Sequence, residues 1–362
     1  MPALSKKMLA DYLIRQFGPG SELLSYGRIG QESSQSTLKG FGYGKPIRLL
    51  CRIKGRPRSF VLETMSPGPF GHEHPADRAQ AMLWDYDSYG RLPRHIKALD
   101  VGAFTTSGRL FSVAPAKEFF VLTEWVQGES YHRDFERLMQ GSRLLPRDRK
   151  RARALAGYLA TIHGTKRKDP DLYRRRIREL IGHGECIMGL TDSYPDRFGF
   201  IDTALLRTIE EDCNRWRWRL RNRTGRLSQV HGDFHPWNVL FKTGTEFSLL
   251  DRSRGEWGEP ADDVTSMSIN YLFFSLRRWG TLKGPFEVLF RQFWETYLES
   301  SRDQGVLEAT APFFAFRGLV IASPLWYPHL TVGVRRKLFN FICNVLSVDR
   351  FDPAEVNQYC QS

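Results

Sequence analysis

The sequence predicts an α+β protein of two lobes: a small N-terminal lobe built on an antiparallel sheet, and a larger, mainly helical C-terminal lobe. A chain of 362 residues is longer than one hydrophobic core usually serves. Strand-like segments crowd the first third of the chain, whereas apolar residues beyond it recur every three or four positions, the spacing of a helix face. A hydrophobic content of 41% with 13% aromatics is enough for packed interiors and excludes a disordered chain. The boundary is expected between residues 124 and 131, giving an N-terminal lobe of 1–125 and a C-terminal lobe of 126–362.

The elements follow in order. Residues 4–17 form a short amphipathic pattern that ends at Gly18-Pro19-Gly20. Strand-like runs come next at 22–29, 47–53 and 59–64, with Gly55-Arg56-Pro57-Arg58 as a hairpin turn between the last two. Gly40-Phe41-Gly42-Tyr43-Gly44 fits both a phosphate-approaching glycine loop and a plain turn. Residues 77–89 carry a helical face of Ala79, Met82, Leu83 and Tyr86, and strand-like runs at 109–113 and 118–123 follow. In the second lobe a long helix is expected over 149–163, and another from Asp263 to Trp279. Leu205, Ile209, Cys213, Trp216 and Leu220 mark one buried helical seam.

That seam bears on the charge. Lysine and arginine outnumber acids 53 to 40, a net charge of +13. Arginine clusters such as the one opening Arg215-Trp216-Arg217-Trp218 are read as solvated helix faces rather than as a nucleic-acid surface. The positive balance suits a triphosphate and is less suited to a strongly cationic substrate. The five cysteines are scattered without metal or disulfide spacing, which points to a reducing cytoplasm. The N-terminus lacks the apolar run of a signal peptide, and the most apolar stretch, 311–330, is broken by Arg317, Pro324 and Pro328, so a membrane span is not expected.

The chemistry is concentrated in His231-Gly232-Asp233-Phe234-His235-Pro236-Trp237-Asn238, followed by the apolar run that ends in Leu249-Leu250-Asp251. Asp233 can accept the proton of an attacking hydroxyl, and Asn238 and Asp251 offer hard oxygens to Mg²⁺ or Mn²⁺ on phosphates. The intervening residues read as a hairpin. A turn centred on Gly244-Thr245 would place Asn238 opposite Asp251. Isolated Asp and Asn residues often only cap loops, but the joint spacing argues for chemistry. A zinc hydrolase built on His231, Asp233 and His235 would need a further ligand cluster that the sequence lacks.

His-Gly-Asp-x-His-x-x-Asn with a following apolar strand ending in Asp resembles the aminoglycoside phosphotransferase and choline kinase superfamily. Gly258-Glu259-Pro260-Ala261-Asp262-Asp263 resembles a further segment of that family. The resemblance implies a two-lobed protein-kinase-like fold and ATP- and Mg²⁺-dependent transfer of the γ-phosphoryl group to a hydroxyl of a small molecule. It implies Asp233 as catalytic base, Asn238 and Asp251 as metal ligands, and Asp263 as a buttress of the loop, with His231 in a supporting hydrogen bond. Residues 124–128, Glu-Trp-Val-Gln-Gly, resemble the family hinge, where the backbone around Glu124 and Val126 receives adenine; Gly40 and Gly42 would approach the phosphates. One feature departs from the pattern. Where the family carries a basic residue on its third strand, this chain has Glu63, leaving Lys39, Lys45, Arg58, His72, His74 or Arg78 to supply the charge and Glu73 or Asp77 its acidic partner. Glu63 keeps two other readings open: a pseudokinase that binds nucleotide or a partner without turnover, and an adenylyl transferase on the same fold.

Overall fold

In a computed structural model of the chain, residues 4–29, 44, 46–68, 71–91 and 93–362 are described. The chain divides into two compact units, Met1–Thr123 and Glu124–Ser362. The Gly40, Gly42, Lys39 and Lys45 positions lie outside the described residues.

The first unit opens with α1 (Lys6–Phe17), capped where the Ser5 hydroxyl accepts the Met8 amide and ended at Gly18, φ 97°. Strands β1 (Glu22–Arg28), β2 (Ile47–Ile53) and β3 (Arg56–Leu62) then form an antiparallel meander in the order β1-β2-β3. The β2–β3 connection is tighter than the sequence suggested. Ile53 pairs with Arg56, so the turn is Lys54-Gly55 alone, with φ of 51° and 77°, and Arg56 to Arg58 already belong to the strand. Two consecutive left-handed residues suit the twist of a two-residue hairpin, and Pro57 is tolerated because β3 is an edge strand. Leu9, Leu13, Leu23, Leu49, Cys51 and Leu110 form the core between α1 and the sheet.

Helix α2 (Pro75–Tyr89) starts two residues earlier than expected, because Asp77 caps it by accepting the His74 amide at 2.7 Å. Its expected apolar face is at most half-buried. Strands β4 (Gly102–Phe104) and β5 (Leu110–Ser112) pair with each other. The strand expected at 118–123 does not form, and Phe120, Val121 and Leu122 are 85–91% exposed. Apolar content alone does not make a strand. It needs a backbone partner, and no described strand pairs with this segment.

The second unit holds one large core. It begins with β6 (Glu129–Ser130), α3 (His132–Met139), α4 (Pro146–His163), α5 (Pro170–Gly182), α6 (Ile187–Asp192), the small hairpin β7 (Arg197–Phe198) and β8 (Ile201–Asp202), and α7 (Thr203–Leu220). Then come β9 (Ser228–Gln229), β10 (Val239–Phe241), β11 (Phe247–Leu249) and β12 (Trp257–Gly258), and the helices α8 (Pro260–Trp279), α9 (Gly284–Ser301), α10 (Thr310–Ala322), α11 (Val332–Ser347) and α12 (Val356–Tyr359). The predicted seam of α7 is buried at Ile209, Cys213, Trp216 and Leu220, with Leu206 rather than Leu205 completing it. Outside the seam, Arg215 and Arg219 pair with Asp212 and Asp349, as on a solvated face.

Helix α8 is buried almost all round from Pro260 to Leu276, with Asp262 the half-buried exception. Beside it packs α10, whose Phe313, Phe314, Phe316, Leu319 and Ile321 are all buried. At about 1.5–3 kcal/mol for each large apolar side chain, these contacts fix both helices firmly enough to hold polar groups in place. No described helix is long and apolar enough to cross a membrane.

Candidate active site

The loop after β9 is shaped by its own residues. Gly232 has φ 87°, and a Cβ there would meet the Cβ of Arg254 at 3.1 Å, so backbone conformation and space both require glycine. His231 Nδ1 accepts the Asp233 amide at 3.3 Å. His235 is extended, and its Nδ1 accepts the Trp237 amide at 3.2 Å, capping the single 3₁₀ turn Pro236–Asn238. Asn238 Nδ2 reaches back to the Asp233 carbonyl at 3.0 Å and to its Oδ2 at 3.3 Å.

Asp263, fully buried in the first turn of α8, buttresses this loop from beneath. Its carboxylate accepts the amides of His231 at 2.7 Å and Gly232 at 2.8 Å. His163, ending α4, lies 3.1 Å from the same carboxylate through Nε2 and 2.9 Å from the Tyr297 hydroxyl through Nδ1. Burial alone would raise the Asp263 carboxyl, but hydrogen bonds from His163 and the His231 backbone outweigh it and hold the carboxyl below the usual carboxylate range. Burial pulls the His231 imidazole below its ordinary value, which favours the neutral ring that accepts the Asp233 amide.

The residue that sequence reasoning missed is Arg317. It had been noted only as an interruption of an apolar stretch. Its side chain, 8% exposed, donates from Nη1 to Asp233 Oδ1 at 2.5 Å and from Nη2 to Asp262 Oδ1 at 2.6 Å and the Gly232 carbonyl at 3.0 Å. His235 Nε2 stands 3.3 Å from Asp233 Oδ2, so the His235 ring faces this carboxylate. Burial pushes the Asp233 carboxyl up, but the His235 hydrogen bond and the Arg317 guanidinium reverse this and hold it far below the usual range. For Asp262 the balance falls the other way: burial dominates, and its carboxyl is raised despite Arg317. A signal for Arg317 did exist in the sequence, since an arginine inside Pro312-Phe313-Phe314-Ala315-Phe316 and Gly318-Leu319-Val320-Ile321 must find a carboxylate if that helix is buried.

The hairpin forms, in a different register. Val239 pairs with Leu249 and Phe241 with Phe247, and the Leu250 amide donates to the Asn238 carbonyl at 2.9 Å. Asn238 therefore faces Leu250, and Asp251 lies one residue further on. The strand register is centred on Gly244, φ 55°, because the Lys242 amide donates to the Glu246 carbonyl at 2.9 Å and leaves a three-residue loop, Thr243 to Thr245. Asp251 is exposed at φ 54°, with Oδ1 accepting the Ser253 amide at 3.2 Å. That left-handed residue ends the strand alternation on which the expected pairing relied.

Glu124 is exposed and Val126 half-buried in a segment without regular structure. It leads into β6, which pairs with β10 through Glu129 and Phe241, and Ser130 Oγ donates to the Pro236 carbonyl at 3.2 Å. The hinge-like segment is thus tied to the loop that carries Asp233. In the first unit, Glu63 is exposed just beyond the end of β3. Arg78 donates to the His72 and Glu73 carbonyls at 2.7 and 2.9 Å.

Residues 77–296 match the phosphotransferase enzyme family, more than half of the chain, and the protein belongs to that family. No curated protein matches the chain. Among solved structures it is similar to an amicoumacin kinase in complex with AMP-PNP and Ca²⁺ (15% identity, 90% of this chain and 92% of that one, TM-score 0.43). It is also similar to a choline/ethanolamine kinase family protein from Mesorhizobium loti (10%, 92% and 94%, TM-score 0.38) and to a spectinomycin phosphotransferase in complex with ADP and spectinomycin (13%, 99% and 98%, TM-score 0.33). Likenesses this distant carry no weight on substrate.

Proposed function

We propose that the protein transfers the γ-phosphoryl group of ATP to a hydroxyl of a small molecule with Mg²⁺ or Mn²⁺. The observation that carries this reading is the Asp233 carboxylate, ionised and fixed on a loop braced from α4, α8 and α10, with Oδ2 held only by two contacts of 3.3 Å. A hydroxyl placed at Oδ2 is oriented for attack; as its new P–O bond forms, the bond from the γ-phosphorus to the departing ADP breaks and the hydroxyl proton passes to the carboxylate. Because such transition states are loose, positioning and charge supply most of the acceleration. Asn238 and Asp251 would hold the metal, their amide and carboxylate oxygens suiting a hard cation, which would supply positive charge to the phosphates. The backbone around Glu124 and Val126 receives the adenine.

Asp233 and Asp262 are both already paired to Arg317, which favours an acceptor that is neutral or anionic at the end that reacts. A panel of neutral, anionic and cationic hydroxyl compounds, scored by ATP consumption and by ³¹P NMR of products, tests the reading. A phosphate ester of the acceptor supports it; an adenylylated product replaces it with adenylyl transfer. Asp251→Ala is expected to abolish most of the Mg²⁺ dependence of nucleotide affinity in calorimetry, and unchanged Mg²⁺ linkage would remove Asp251 from the metal site.

Glu63 favours a second reading, nucleotide or partner binding without turnover, since a carboxylate in place of a phosphate-holding cation repels ATP. Glu63→Lys is expected to maintain or strengthen Mg²⁺-dependent stabilisation by ATP in thermal melts. If neither wild type nor Glu63→Lys is stabilised by any nucleotide, the non-catalytic reading stands.

A further inference from the structure

We infer that Arg317 is the positioning residue for the reaction, a guanidinium delivered by α10 that fixes the Asp233 carboxylate and aims its Oδ2 edge at the acceptor hydroxyl. The inference rests on the phosphotransfer reading above.

The cost of placing Arg317 there argues that it does more than pack. Its helix is otherwise apolar, and removing a guanidinium from water costs several kcal/mol unless every charge is met. A leucine or methionine would fill the same volume without that cost. The hydrogen bonds it does make all go to the Asp233 loop or to the residue beside its buttress: the Gly232 carbonyl, Asp233 Oδ1, and Asp262, the neighbour of Asp263. Two adjacent residues of α8 thus serve the loop separately. Asp263 holds the backbone amides of His231 and Gly232, and Asp262 anchors the cation that holds the side chain of Asp233.

The contact lengths divide the two oxygens of Asp233. Oδ1 is locked at 2.5 Å in a charge-assisted bond, whereas Oδ2 has only the longer contacts to His235 and Asn238. An incoming hydroxyl displaces or joins a 3.3 Å contact far more readily than a 2.5 Å ion pair, so Arg317 selects which oxygen reacts. The titratable and charged groups around Asp233 are His231 and His235 on its own loop, Asp262 and Asp263 on α8, His163 on α4, Arg252 and Arg254 after the hairpin, and Arg317. Among them Arg317 makes the shortest contact with Asp233, 2.5 Å at Oδ1 against 3.3 Å for His235 Nε2 at Oδ2.

The test uses Arg317→Lys and Arg317→Gln in the full-length protein. Each variant is read by kcat, by KM for ATP and for the acceptor, and by a thermal melt. Both variants are expected to lose kcat by roughly 10- to 100-fold with KM for ATP nearly unchanged. The loss of kcat should be smaller in Arg317→Lys, which keeps the charge but not the fork, than in Arg317→Gln. A folded Arg317→Gln variant that keeps wild-type kcat, or that loses ATP affinity in place of kcat, overturns the inference and leaves Arg317 a structural pin, while phosphotransfer by the wild type survives. If Arg317→Gln does not fold, Arg317→Lys decides by the same readouts. Failure of the wild type to consume ATP with any acceptor overturns the phosphotransfer reading and the inference with it.

Discussion

Asp233→Asn is expected to lower turnover by roughly 10² or more while leaving ATP affinity close to wild type. The amide keeps the size of the side chain but cannot take a proton, and it makes a weaker acceptor for the hydroxyl it must orient. The substitution also removes one of the two carboxylates that neutralise Arg317. Some loss of stability is therefore expected, about 1–3 kcal/mol, tempered because Asp262 and the Gly232 carbonyl still hold the guanidinium. Steady-state kinetics beside a thermal melt separate the two effects. Turnover at the wild-type rate in a folded variant would mean that another group accepts the proton.

Asp263→Ala is expected to have the largest effect on stability, about 3–5 kcal/mol, which for a chain of this size lowers the melting temperature by on the order of 10 °C. The substitution strands two buried amides, those of His231 and Gly232, and takes away the carboxylate that faces His163. Asn at this position should rescue little, because one of its two ends would present a donor to a donor. The effect also depends on pH in a defined direction. The folded-state pKa of Asp263 is depressed, so its stabilisation is fully present above the unfolded carboxyl's pKa of about 3.9 and is lost as pH falls through the lower folded value. The gap between wild type and Asp263→Ala should accordingly narrow on the acid side. A gap that stayed constant down to the lowest pH at which both fold would mean that the carboxylate's charge does not matter.

How much of this could be read from the sequence depends on how far apart the partners lie along the chain. The seam of α7 and the β10–β11 hairpin were legible because periodicity and turn residues act over a few positions. The loop residues were legible as a motif for the same reason. The register was missed by one residue, because the backbone bond between Lys242 and Glu246 closes a three-residue loop where a two-residue one was expected, and composition does not reveal which forms. The strand at 118–123 failed because strand formation depends on a neighbour and not only on apolar content. Arg317 was missed because its partners, Asp262 and Asp233, lie 55 and 84 residues away, and only the packing of α10 against α8 brings them together.

The left-handed backbone of Asp251 has a consequence for anyone seeking sturdier variants. Holding a non-glycine residue at φ 54° costs on the order of 1 kcal/mol, less for Asp than for a branched residue, and glycine there would release that cost. Asp251→Gly should therefore melt at or above the wild-type temperature without metal, while losing the carboxylate proposed to hold the cation. Selection for heat resistance alone would drift toward that glycine, and selection for turnover would restore the aspartate. At this position, durability and the proposed metal binding favour different residues.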